Sequence, residues 1–306
     1  MKEACMISKK MKLNRYRDGL SFRITKAVMF VLFVIYAASL LYPLAFTFLS
    51  SLRSNAAYEA RHFSFSGIIG FDNYVSAFKY LPMTTASGKQ LTLFHLIFNS
   101  LWYTLLGCGL QLTASCMTAY VISKYKFPGR SVLYAVAIIT LTLPIVGQIP
   151  SQFKMYDKLH ILNSPLLVVS FFSGFGFSFI VLFSFFQNIS WQYAEAAFID
   201  GAGHLCVFLR IMLPHAAGII GALFIVTCVN YWNDYLGPVL FLPDYPTLAS
   251  GLYKYKVLSI RDYNMGGVNM PILFAGLLVS MLPVVGAYIA FNKKMLDMSF
   301  SGGLKG

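Results

Sequence analysis

Long apolar runs separated by short polar segments set the pattern of this chain. They fall at about residues 27–49, 93–123, 132–149, 166–186, 218–242 and 271–291. A helix rises about 1.5 Å per residue and a bilayer core is about 30 Å thick, so roughly 20 apolar residues make one crossing. The pattern predicts an all-α, polytopic membrane protein with six transmembrane helices. Residues 1–26 form a basic arm, residues 27–292 the six-helix transmembrane domain, and residues 293–306 a tail.

The segments between the runs orient them. The arm carries Lys2, Lys9, Lys10, Lys12, Arg15, Arg17, Arg23 and Lys26 against Glu3 and Asp18. The run that follows is longer than the roughly 7–15 residues of a signal-peptide core, which predicts a retained first helix. The turn Lys124-Tyr125-Lys126-Phe127-Pro128-Gly129-Arg130 is basic and tight. Six spans put both termini on one side, and on that side lie 15 of the 24 Lys and Arg residues, with 9 on the other. The positive-inside rule then gives an N-in, C-in topology. Residues 51–91 read as an external loop, with short amphipathic helices on the membrane face or as a plain connector, and residues 151–164 and 243–270 as further external segments. Within the third run Pro144 is tolerable, and Pro150 is expected to end it. The phenylalanines of the fourth run are expected to face lipid, with Gly174 and Gly176 at a close helix contact.

Composition agrees with a membrane protein. The 306 residues are 58% apolar and 11% charged, far from the roughly 25% charged residues of soluble domains. The net charge of +13 lies in the arm and the turns, where juxtamembrane basic residues sit, so nucleic acid is not an expected partner. Five cysteines show no CxxC spacing, His62, His160, His204 and His215 show no ligand spacing, and no metal site is expected.

One polar island interrupts the runs, at residues 188–214. Ser190 is a plausible cap for a helix from Trp191, and Gly201 is its expected terminator. Ala194, Ala197 and Gly201 share a helix face of almost no bulk, open to close approach. A second helix over residues 204–213 follows, with Pro214 suited to the first turn of the fifth span. The spacing Glu195-Ala196-Ala197, three residues, Gly201, nine residues, Ile211, one residue, Leu213-Pro214 matches the EAA signature of ABC importer permeases. Asp200-Gly201-Ala202, Tyr125 to Arg130, Asn230 to Asp234 and Gly302 to Gly306 extend the likeness, and the chain resembles the MalG-like, binding-protein-dependent branch of carbohydrate importers. It departs at Ser190, often proline in the family, and at His215-Ala216-Ala217-Gly218, where a second proline is absent.

The resemblance implies a type I importer permease fold in the cell (plasma or inner) membrane, with 188–214 as a cytoplasmic coupling loop. Glu195, Ala196, Ala197, Asp200, Gly201, Ile211, Leu213 and Pro214 would then dock in the cleft of a separate ATPase subunit. Implied partners are a second EAA-bearing permease, giving a heterodimer, two ABC ATPases, an extracytoplasmic sugar-binding protein, and membrane lipid. This chain binds no cofactor in that scheme, and ATP and Mg are used by the ATPase. The absence of a GxxxxGK[ST] loop agrees with a non-catalytic subunit, and no catalytic residues are assigned.

For the pathway, an ionisable group within a span is a functional candidate. Asp234, with Asn230, Trp232 and Asn233, offers amides, a carboxylate and an indole suited to sugar hydroxyls and ring faces, or else caps a helix break before Gly237-Pro238. Asn99 and His95 line the pathway or bond to neighbouring helices, with packing the favoured reading. Other classes are a permease for a non-sugar solute and a self-contained secondary transporter, which would carry charged relays at the midplane.

Overall fold

The computed structural model describes residues 20–64, 66–80, 83–85, 87–88, 90–143, 147–261 and 269–302. The arm up to residue 19, Pro144, Asp262, Gly266-Gly267 and the tail from residue 303 lie outside the described residues. Helices dominate. The first, α1 (Leu20–Ser51), leads through α2 (Asn55–Ala60) and α3 (Asp72–Tyr80) to a short antiparallel hairpin, Met83–Thr84 with Gln90–Leu91. Then come α4 (Leu93–Lys124), α5 (Arg130–Thr142), α6 (Ile149–Lys158), a 3-10 turn at Pro165–Phe171, and α7 (Phe177–Asn188). The chain continues through α8 (Gln192–Ile199), α9 (His204–His215), α10 (Ala217–Asn233), α11 (Leu236–Phe241), α12 (Leu248–Arg261) and α13 (Met270–Gly302).

Among the described residues, three helices are long and apolar enough to cross a membrane: Phe22–Ser51, Leu93–Lys124 and Met270–Ile289. A fourth span results if the bent pair α9 and α10 counts as one. The third and fourth runs differ from expectation. Helix α5 ends at Thr142, and Pro150 sits in the first turn of α6 instead of closing the third span, because a missing N–H costs nothing there. The fourth run is broken at residues 172–176, between the 3-10 turn and α7. Helix α13 runs without interruption through residues 292–302, so the first ten residues of the segment 293–306 are helical.

Helix α4 is the axis of the bundle. Its Cys108, Leu112, Cys116, Ala119 and Tyr120 form one buried face with Phe179, Leu182, Phe183 and Phe186 of α7 and Leu223 of α10. Phe179, Phe183 and Phe186 repeat at helical spacing, so α7 turns its aromatic stripe inward. This corrects the lipid-facing expectation for these three, while Phe172 and Phe177 remain exposed. A second cluster joins Leu93 and Leu96 to Trp232, Leu252 and Leu273, and a third gathers Tyr103, Tyr156, Leu167 and Phe241.

The close contact expected at the fourth run is at Gly174. A Cβ there would lie 2.4 Å from Thr118 Oγ1 and 3.2 Å from its Cβ. Gly174→Val is therefore expected to destabilise the fold by about 1–3 kcal/mol, the usual cost of overpacking. Thermal unfolding in detergent should show the loss. Gly174→Ala with Thr118→Ala should recover part of it, and a Val variant as stable as the parent would refute the contact.

Helix α1 stands apart. Residues 22–45 are exposed at every position, and α1 meets the body near its end, where Phe46 contacts Phe63 and Phe274. Beyond it the chain is folded around Arg53, which is fully buried. Its guanidinium donates to the carbonyls of Ser66 (3.1 Å), His62 (3.1 Å), Ala57 (2.6 Å) and Arg61 (2.8 Å). Asn73 Nδ2 closes the other side on the carbonyls of Ser51 and Arg53, both at 2.7 Å.

Candidate functional site

The polar island folds as a helix, a tight turn and a second helix. Ser190 Oγ accepts from the Gln192 N–H at 3.3 Å, so the serine does supply a first-turn acceptor, with α8 starting one residue later than expected. At the other end Gly201 has φ +85, the left-handed conformation glycine adopts freely. Gly201 N–H donates to Phe198 O at 3.0 Å and Ala202 N–H to Ala197 O at 2.9 Å. That pair of bonds is a Schellman motif, which satisfies carbonyls the helix end would leave unpaired.

The faces of α8 are distributed differently from the sequence expectation. Ala194 is fully buried and Ala197 half-buried against the main core, together with Phe198 and Trp191. Of the face of small residues, Ala194 and Ala197 are thus seated on the chain's own body, whereas Gly201 is exposed. Facing outward are Glu195, Ala196, Asp200, Gly201 and Ile199, the last 86% exposed. Ile211 and Leu213 pack half-buried on the core, and Pro214 is exposed. The signature therefore divides into residues that anchor the island and residues it presents.

Helix α9 is held to α4 by Tyr125, whose hydroxyl lies 2.9 Å from His204 Nδ1, and by the Tyr120–Phe208 ring contact. Its middle, Phe208–Met212, is a π-turn, and Leu213 N–H reaches back to Phe208 O. Pro214 supplies no N–H, so the carbonyl four residues earlier leaves the ladder and the turn ahead of it widens. Pro214 belongs to the last turn of α9, not to the first turn of the fifth span as expected. The chain then bends by 76° into α10, with Ala216 buried at the bend.

Deeper in the bundle lies a polar cavity of about 550 Å³ between α4, α7 and α10. Asn230, Asn233 and Asp234 line it, with Gln111, Ser178 and Thr227, and aromatic walls from Phe177, Tyr231 and Tyr235. Asp234 ends α10: its Oδ1 accepts from Gly237 N–H at 3.0 Å and its Oδ2 from Tyr103 O–H at 2.7 Å. The residue caps the helix break, as one of the two sequence readings has it, and it also lines the cavity. Gly237 is required for this approach, since a Cβ there would stand 2.5 Å from Asp234 Oδ2.

Two pathway candidates are not brought to this cavity. Asn99 donates to Pro246 O at 3.0 Å and accepts from Trp102 Nε1 at 3.2 Å, so its amide ties α4 to the segment before α12. Trp232 is buried, and its indole N–H donates to Ser280 O at 3.0 Å, fastening α10 to α13. On a helix, position 232 points away from the side that carries 230 and 233. Gln111, Ser178 and Thr227 were missed. Gln111 had a signal, an amide midway along an apolar run; the two hydroxyls had none, because such residues also satisfy themselves within a helix.

Bilayer-length helices, a cavity with polar lining between α4, α7 and α10, and an exposed helix–turn–helix suit a membrane transport subunit. The chain belongs to the family of binding-protein-dependent transport system inner membrane components, whose pattern matches residues 111–295 and so includes α8, α9 and the cavity. It is 28% identical to the diacetylchitobiose uptake system permease protein NgcG of Streptomyces coelicolor, over 88% of this chain and 85% of that one. It is also 28% identical to the arabinooligosaccharides transport system permease protein AraQ of Bacillus subtilis, over 78% and 80%. A crystal structure of a bacterial ABC transporter involved in import of the acidic polysaccharide alginate shares the fold, with TM-score 0.73 and 24% identity over 90% of this chain and 98% of that one.

Proposed function

We propose that this chain is one permease subunit of an ATP-driven ABC importer for sugars, oligosaccharides above all. It crosses the membrane six times with both termini inside, and segment 188–214 seats in the cleft of a separate ATPase. The observation that carries the reading is the island itself. Ala194, Ala197, Ile211 and Leu213 anchor it, while Glu195, Ala196, Ile199, Asp200 and Gly201 stand free for a partner. Glu195 offers an anionic contact to a basic residue of the ATPase, and Ala196 and Gly201 permit close seating.

The sugar assignment is supported by the relatives named for diacetylchitobiose and arabinooligosaccharides, and by the cavity's amides and aromatic walls, which suit hydroxyls and ring faces. A second permease completes the assembly, and the open flank of the cavity and the uncovered helix α1 both suit such a partner. Two ATPases supply ATP hydrolysis with Mg, and an extracytoplasmic binding protein delivers the sugar.

The test reconstitutes the four kinds of subunit in liposomes, with ATP trapped on the ATPase side and binding protein with labelled oligosaccharide on the other. Uptake should require both, and Ile199→Cys should crosslink to a cysteine placed in the ATPase cleft. Uptake by this chain alone, or no crosslink at any cleft position, would overturn the reading.

A further inference from the structure

We infer that the cavity selects its cargo by charge, admitting neutral and amine-bearing saccharides and disfavouring acidic ones. The inference rests on the sugar-importer reading and adds to it the electrostatic class of the substrate. Among the residues lining the cavity, Asp234 is the one with a formal charge, and the polar remainder are amides and hydroxyls. Each carboxylate oxygen of Asp234 already accepts one hydrogen bond, from Tyr103 or Gly237. A carboxylate has about four lone-pair sites, so roughly half its accepting capacity is left over. Among the described residues, no Lys, Arg or His lines the space it faces. Lys256 lies close by, but it lines the adjoining recess behind Asn233 and Tyr235 and not this cavity.

A sugar hydroxyl or ammonium can donate to the free lone pairs of Asp234, whereas a uronate or sulfonate brings a second anion that no cation of this chain's lining offsets. Apolar helix surroundings strengthen that repulsion relative to water. Asn230, Asn233 and Gln111 serve a neutral ring by accepting and donating with the same amide. The wall thus differs from what an acidic polysaccharide, the cargo of the structurally similar alginate transporter, would need from it.

The experiment reads the cavity's potential without relying on any sugar. Asn233→Cys in the full reconstituted complex is reacted with a trimethylammonium and a sulfonate methanethiosulfonate of equal size, with the complex lacking the added cysteine as background. The cation-to-anion rate ratio should exceed that of a free thiol by about tenfold or more. Adding Asp234→Asn should return it to the free-thiol value, and adding Asn230→Asp should raise it further, which keeps the test decisive if the first variant folds poorly. A ratio equal to that of a free thiol in Asn233→Cys alone would overturn the inference. In parallel, uptake of a methyl-esterified trigalacturonide should exceed that of its free acid, each normalised to the amount held by the binding protein. Equal uptake of both overturns the charge selection and leaves the importer reading standing. A cation-favouring cavity in a complex that moves no sugar overturns the sugar reading and leaves the charge assignment standing.

Discussion

Gly201→Val is expected to reduce substrate-stimulated ATP hydrolysis and uptake by about tenfold or more, with the amount of inserted protein unchanged. The turn after α8 needs φ +85 at this position, where an L-residue costs roughly 1–2 kcal/mol and a β-branched one more. About 1.4 kcal/mol is a factor of ten in an equilibrium. A Cβ at Gly201 meets nothing of its own chain within 4 Å, so the damage is confined to the direction of the turn and to whatever docks above it. Gly201→Asn should be milder, since asparagine tolerates the left-handed region. Stimulated ATPase activity of the complex in nanodiscs, beside an immunoblot of the membrane fraction, decides it. A Val variant with full stimulation would sink the docking role of the turn.

Arg53→Met should be the most destabilising single change outside the bundle core. It would strand four carbonyls, those of Ala57, Arg61, His62 and Ser66, that now share one guanidinium. None of these acceptors is a carboxylate, so the charge is stabilised by peptide dipoles and by the Tyr58 ring, whose centroid lies 5.6 Å from the guanidinium carbon. A buried carbonyl left without a donor costs about 1–3 kcal/mol, and water reaching the exposed edge at Arg61 and His62 lowers the total. Arg53→Lys should recover less than half, because an ammonium is a compact donor and cannot fork across four carbonyls. The readout is proteolysis of segment 54–69 in the folded complex: rapid cleavage with Met, intermediate with Lys. Equal protection in all three would mean that the loop is held by Asn73 and the α2 cap instead.

Much of the site was legible because spacing survives folding. The glycine turn, the serine acceptor and the start of α4 follow from local rules that tertiary structure did not override. What failed was direction. Alanines at 194 and 197 signal close approach, but composition does not say whether the approaching surface is a partner's or the chain's own, and here it is the core. Phenylalanines at 179, 183 and 186 read as lipid-facing because both sides of a membrane helix are apolar, so hydropathy loses the contrast that marks a buried face in water. Trp232 and Asn233 are neighbours in sequence and point to different helices. Nothing in the sequence singles out Arg53 within the segment 51–91, since its carbonyl partners are backbone atoms that every residue carries.

The 76° bend at Ala216 gives α9 the geometry of a crank. From His204 to His215 the arm is roughly 18 Å long at about 1.5 Å per residue. Its bend is packed at the buried Ala216, and α8 rides on its far end through the Phe198–His204 ring contact. A tilt of about 10° about the bend would carry that far end roughly 3 Å along an arc of this radius. The same tilt delivered to α10, at right angles or nearly so, becomes rotation and lateral sway, not a push along its axis. Force applied at Glu195 and Asp200 would thus reach Asn230 and Asp234 as a change in the cavity's width.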